Sequence, residues 1–409
     1  MAMRRGCLVV LAAILGAACS LRADEGMWLL TMPPAETLRS RYGFEPTPAW
    51  LEHLQKSCVR MWASGSLVSA DGLLMTNHHV GVDQLLKLST SQRDLVRDGF
   101  YARTRDAELR CPDMEVQILW SIEDVTERVN AAVRPEMSAG AAFEARRKAM
   151  THIEQESKDA TGLDSEVVTL WHGARYHLYR YRRYSDVRLV FAPEKSVAFF
   201  GGDTDNFEFP RFDLDCCFFR IYENGKPLRP EHYLRWGRRG AAEGELLFVL
   251  GHPGRTRRLL TVDHLKFLRD VEMPATLGRL WRREVQLACF CNRGAENGRI
   301  GENDLFSVQN SRKARTGVYE AILDPEFMRR KEQAESKLRT AASAEPWERI
   351  GEAEKTYRTF FGRHDVLREG RPFDSELFDI AQTLVRLADE LPRLLSPGAP
   401  GVVPLVVYD

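Results

Sequence analysis

The stretch Ala63-Ser64-Gly65-Ser66-Leu67-Val68-Ser69-Ala70-Asp71-Gly72-Leu73-Leu74-Met75-Thr76-Asn77-His78-His79-Val80 constrains this chain more than any other. Asp-Gly between two short apolar runs is a strong local signal for a tight β-hairpin, because glycine supplies the positive φ that such turns need. The second strand is expected to end on the histidine pair. Adjacent strand residues face opposite ways, so the two imidazoles should point to opposite sides. On the dipeptide alone, two ordinary histidines at a strand end remain the plainer reading.

With 409 residues the chain is too long for one ordinary domain, and two or three are expected. Lysine plus arginine number 58 and aspartate plus glutamate 58, so charge gives no reason to expect nucleic acid or an anionic membrane as partner. Arg4-Arg5 precedes the apolar run Cys7 to Ala18, and Leu21-Arg22-Ala23-Asp24 offers a cleavage site. Residues 1–23 therefore read as a secretory signal peptide, which predicts a periplasmic protein without a membrane anchor. A lipoprotein signal at Cys19 fits less well, since Gly16 stands where a large aliphatic residue is expected.

Cysteines 58, 111, 216, 217, 289 and 291 remain after the signal. Two are adjacent and two are separated by one residue, a pattern suited neither to a disulfide framework nor to zinc, so buried free thiols are expected. No cofactor is indicated.

Along the chain, Trp50-Leu51-Glu52-His53-Leu54 suggests a short helix before the hairpin. Strands are expected at Glu115–Trp120, Glu166–Leu170, Tyr176–Tyr181 and Val187–Phe191, with a charged helical excursion over 121–160. Leu246-Leu247-Phe248-Val249-Leu250 reads as a buried-type strand ending in the turn Gly251-His252-Pro253-Gly254. From Val262 onward helical periodicity dominates. Its clearest case is Leu377, Ile380, Ala381, Leu384, Leu387, Ala388 and Leu391, with Ser375 as N-cap and Pro392 as stop.

A second constellation lies between these regions. Gly201-Gly202-Asp203-Thr204-Asp205-Asn206-Phe207-Glu208-Phe209-Pro210-Arg211 precedes Asp213-Leu214-Asp215 and the strand Cys216 to Tyr222. An acid followed by a hydrophobic strand is how chymotrypsin-like folds supply the carboxylate that orients the base, although on this stretch alone an acidic loop before a core strand is the plainer reading. In that architecture the base follows a hairpin in a Thr-x-x-His context, matched here by Thr76-Asn77-His78-His79. With Gly26-Met27-Trp28 and Gly251-His252-Pro253-Gly254-Arg255-Thr256, these motifs resemble the bacterial dipeptidyl-peptidase 7 and 11 family from about residue 24 to about 395.

The resemblance implies a β-plus-α protein: a chymotrypsin-like double β-barrel over 24–261, a mainly helical inserted domain over 262–395, and an irregular tail over 396–409. It implies an exported serine aminopeptidase that releases dipeptides from oligopeptides with a free N-terminus, with the homodimer of the family as its assembly and the helical domain closing one end of the cleft. His79 is implied as the general base and Asp215 as its orienting acid, with Asp213 the lesser candidate. Asn206, Phe207 and Asn310 are implied as binders of the substrate N-terminus, Phe207 standing where many members carry tryptophan, and Asn303 lies near Asn310. Family members continue further, and their Gly-Asn-Ser-Gly-type nucleophile turn has no counterpart here, so the second barrel is expected to be incomplete and the nucleophile serine to be none of this chain's. Two other readings stay open: a non-catalytic peptide-binding remnant, and a metal site from His78, His79 and Asp215, which the opposed strand histidines disfavour.

Overall fold

Val59, Leu67, Leu74, Leu189, Phe219 and Ile221 are completely buried and form the centre of one hydrophobic cluster. They come from five strands: β1 (Cys58–Arg60), β2 (Ser64–Leu67), β3 (Leu73–Thr76), β9 (Asp186–Ala192) and β10 (Cys217–Glu223). Alternate residues of β2 and β3 are buried, the period a half-buried strand requires. Burial of each large side chain contributes about 1.5–3 kcal/mol before conformational entropy is set against it.

The computed structural model describes residues 26–254, 257–341, 343–368 and 375–394. The expected signal peptide, the irregular tail and Arg255-Thr256 lie outside them. The chain divides into two compact units, residues 1–200 with 212–256 and residues 201–211 with 257–409.

In the first unit, β4 (Phe100–Tyr101), β5 (Leu109–Arg110), β6 (Val116–Asp124), β7 (Asp164–Leu170), β8 (Arg175–Tyr184) and β11 (Lys226–Pro227) complete an 11-stranded sheet. Its order is β4-β9-β10-β3-β2-β1-β6-β8-β7, with β5 also on β9 and β11 on β10, and the pairings are antiparallel. Two helices, α1 (Ala35–Tyr42) and α2 (Pro48–Ser57), lead into β1. The helical excursion is α5 (Thr126–Asn130) and α6 (Ala139–Thr161), which bury Val129 and Ile153 in a satellite cluster with Val167 and Leu178.

The β2–β3 turn is held by side chains as well as backbone. Ser69 Oγ accepts from the amides of Asp71 (3.3 Å) and Leu73 (3.1 Å), while the Val68 amide donates to Leu73 O at 2.8 Å. Gly72 has φ +75°, and a Cβ there would lie 2.8 Å from the Ile221 carbonyl oxygen, so glycine is required twice over. Asp71 also meets Arg220, whose guanidinium reaches the buried Glu108 at 2.9 Å, tying the turn to β10.

The elements differ from expectation at the histidines. β3 stops at Thr76, and His78 opens helix α3 (His78–Leu88) rather than ending a strand. The short α4 (Leu95–Asp98) follows. Residues 246–250 form no strand, and Val249 is fully exposed. An apolar run becomes a strand only where a neighbouring edge takes its hydrogen bonds, and no described strand pairs with this one. The turn after it is nonetheless anchored: Ser64 Oγ accepts from the His252 amide at 2.7 Å.

The second unit is helical: α7 (Val262–Phe267), α8 (Met273–Cys291), α9 (Ala295–Leu323), α10 (Pro325–Ala341), α11 (Glu345–Arg363) and α12 (Glu376–Leu394). Val262, Leu265, Leu268, Met273, Ile322 and Met328 form its core. The expected stripe does lie on a helix, but Leu377, Ile380 and Leu384 are exposed and α12 continues through Pro392. The six cysteines among the described residues are free; Cys58, Cys111 and Cys217 are buried as expected, whereas Cys216 and Cys291 are half-buried and Cys289 is exposed.

Candidate active site

Asn77 is extended (φ −76°, ψ 153°) and passes the chain from β3 into α3. The helix start points its first two side chains apart, as a strand would have done. His78 is 2% exposed with Nε2 unpartnered, and burial pushes its imidazole below the ordinary histidine range, which keeps it neutral. The His79 side chain keeps 32% of its surface open.

Asp215 lies on the segment entering β10, whose partner β3 pairs Cys217 with Thr76, so the sheet register brings Asp215 beside α3. Its Oδ2 is 2.6 Å from His79 Nδ1, its Oδ1 accepts from the His79 amide at 3.0 Å, and Oδ2 accepts from Asn77 Nδ2 at 3.0 Å. The side chain is only 13% exposed. Burial would raise its carboxyl, but the hydrogen bonds and charge of His79 and the Asn77 amide outweigh this and hold it below the usual range. An ionised acceptor at Nδ1 makes that nitrogen the N–H and leaves Nε2 as the basic one.

Asn77 and two aromatic rings complete the setting, and none of the three stood out in the sequence. Phe200 stacks on the His79 ring with centroids 4.0 Å apart and planes at 16°, and Trp62 meets it edge-on at 6.4 Å while donating to Val80 O at 3.2 Å. Asn77 stands at the N-cap of α3, yet its side chain makes no cap bond and donates to Asp215 instead. Among the described residues, no serine, threonine or cysteine side chain is hydrogen-bonded to the His79 ring. No group of three or more His, Cys, Asp or Glu suited to a metal ion occurs among them either.

In the second unit, residues 201–211 lie against α9. A Cβ on Gly202 would come within 2.6 Å of Phe306 Cδ1, so glycine permits the approach. Asp203 accepts from the Gly201 amide at 2.9 Å and pairs with Arg211 at 2.8 Å, and Lys313 of α9 meets Glu208 at 2.7 Å. Asn206 is 1% exposed and donates through Nδ2 to Asn310 Oδ1 at 2.8 Å. Its own Oδ1 is buried without a hydrogen-bond partner, an acceptor suited to an ammonium donor. Phe207 follows at φ +64° and is 60% exposed, a left-handed conformation costing a bulky residue about 1–3 kcal/mol. Asn303 is exposed and Asn310 makes the contact.

A sequence model of the Peptidase S46 family matches residues 23–395. Dipeptidyl-peptidase 7 of Phocaeicola vulgatus is 29% identical over 370 residues, 84% of this chain and 51% of that protein. The Asp/Glu-specific dipeptidyl-peptidase of Porphyromonas endodontalis is 32% identical over 274 residues, covering 61% of this chain and 38% of the relative. The crystal structure of Porphyromonas endodontalis DPP11 in complex with the dipeptide Arg-Asp superposes with a TM-score of 0.74 at 25% identity, covering 85% of this chain and 55% of that one. The chain thus spans about half the length of the first of these relatives.

Proposed function

The chain belongs to the Peptidase S46 family, and on that premise we propose that it carries the general base, the orienting acid and part of the amine-binding site of an exported serine-type dipeptidyl peptidase. The observation that carries this reading is the 2.6 Å contact between Asp215 and His79 Nδ1, which leaves Nε2 free to take a proton from a hydroxyl. Asp215 fixes the tautomer and stabilises the imidazolium formed when Nε2 accepts that proton. The proton then passes to the leaving amine.

Asn206 and Asn310 receive the free N-terminus of the oligopeptide. The unpartnered, buried Asn206 Oδ1 is an acceptor for its ammonium, and a desolvated charge-assisted bond of this kind discriminates against an acetylated end. Phe207 packs beside the first residue. The nucleophile is proposed to be the family's serine, for which the family resemblance offers no match in this sequence, and no described hydroxyl is hydrogen-bonded to the His79 ring. The antiparallel sheet is read as the first barrel of a chymotrypsin-like pair with the opening strand of the second, and 262–395 as the inserted helical domain. Export to the periplasm rests on Arg4-Arg5 and the apolar run after it, and a homodimer is proposed from the family.

Asn206→Ala tests the amine site in the protein carrying this chain. It should raise KM for free-amine substrates at least tenfold while leaving kcat within a few-fold. An unchanged KM, or equal cleavage of acetylated peptides by the unaltered protein, would overturn the assignment.

A further inference from the structure

The stacking of Phe200 on His79 has no part in the proton relay just described, yet its geometry is specific. Two neutral aromatic rings prefer an offset or edge-to-face arrangement with centroids about 4.5–7 Å apart. Here the rings are 4.0 Å apart and within 16° of parallel. Close approach to the negative face of a phenyl ring is what a cation favours. Asp215 holds the imidazole through Nδ1 and Phe200 lies against its face, so the two restrain different motions of the ring.

We infer that Phe200 is a positioning residue that fixes the plane of the His79 ring and stabilises its protonated form through the ring face; the catalytic part of this inference rests on His79 being the general base. Neutral and charged imidazole are bound unequally by a phenyl face, so the contact strengthens as the base takes its proton. The titratable neighbours that share the field are Asp215 at 2.6 Å, His78 beside it on α3, Lys195 after β9, and Asp213 and Cys216 on the segment entering β10.

Histidine-selective carbon-13 labelling and an NMR titration of the 409-residue chain read the midpoint of His79 directly, with no turnover required. Phe200→Leu should lower that midpoint by about half to one pH unit, a three- to tenfold loss in proton affinity. Phe200→Tyr and Phe200→Trp, which keep an electron-rich face, should stay within about 0.2 units of the unaltered chain. Pentafluorophenylalanine at position 200 preserves size and reverses the face charge, so it should lower the midpoint even where Phe200→Leu does not fold. A midpoint that stays fixed or rises in the fluorinated protein would overturn the inference. In the protein carrying this chain, Phe200→Leu should move the acid limb of kcat/KM by the same amount. Dipeptide release persisting in His79→Ala would instead sink the base assignment while leaving the titration result intact.

Discussion

Asp215→Asn should weaken the first unit by an amount that its three contacts set. The carboxylate is 13% exposed and receives three donors: His79 Nδ1 at 2.6 Å, the His79 amide at 3.0 Å and Asn77 Nδ2 at 3.0 Å. An amide in its place has one oxygen and one NH2. With NH2 at the Oδ2 position it faces the Asn77 donor and forces the His79 proton onto Nε2, and with NH2 at Oδ1 it faces the His79 backbone amide. One orientation strands the exposed Asn77 Nδ2 and turns the His79 ring, the other strands the part-buried His79 amide at about 1–3 kcal/mol, and both remove charge assistance from the remaining bonds. The loss is about 2–4 kcal/mol at pH 7. Native-state hydrogen exchange of peptides covering β2, β3 and β10 reports this unit alone, and their slowest amides should exchange about 30- to 700-fold faster. The sign with pH follows from the depressed carboxyl: its contribution is complete above about pH 4 and is lost as pH falls through the lower folded value, where both proteins should converge. Equal exchange at pH 7, or a difference that survives at low pH, would refute the reasoning.

Gly72→Ala should destabilise the same unit by at least about 1 kcal/mol in urea denaturation, because a side chain meets both φ +75° and a carbonyl oxygen 2.8 Å away; an unchanged midpoint would contradict this. His252 is pushed down from 6.5 to about 4, first by burial and then by the Arg60 charge. The unfolded state then binds the proton that the folded state refuses, so this group should add roughly 3 kcal/mol of stability as pH climbs from about 4 to about 6.5, and His252→Gln should remove that part of the slope while the part from the buried His78 stays. The 409-residue chain alone should release no dipeptide from a chromogenic substrate above background, since no described hydroxyl meets His79; turnover abolished by His79→Ala would place the nucleophile within it.

The hairpin was legible because Asp71-Gly72 demands a turn that few other residue pairs tolerate, and the helical second half because its apolar spacing persists over many turns. The handover at Asn77 was not. An asparagine before an apolar periodic run is a helix start signal, but Thr76 and Met75 continue a strand, and only the distant Asp215 shows where the Asn77 side chain goes. Residues 246–250 misled for the opposite reason. Apolar content signals burial, whereas a strand also needs an edge to pair with, which no local pattern contains. Asn206 and Asn310 are 104 positions apart, so the family resemblance implied a shared role for them that no periodicity carries, and their contact is visible only in the structure. Phe200 carried no signal, being one of two adjacent phenylalanines in a short apolar run; its role is visible only as a ring lying over another ring.

Product analysis tests the central claim most directly. An oligopeptide with a free N-terminus and its acetylated twin, incubated with the protein carrying this chain, should diverge in mass spectrometry: two-residue fragments from the first and nothing from the second. His79→Ala should cut that release by about a thousandfold or more. Single residues, internal fragments, cleavage of the acetylated peptide, or dipeptide release that persists without His79 would contradict the account.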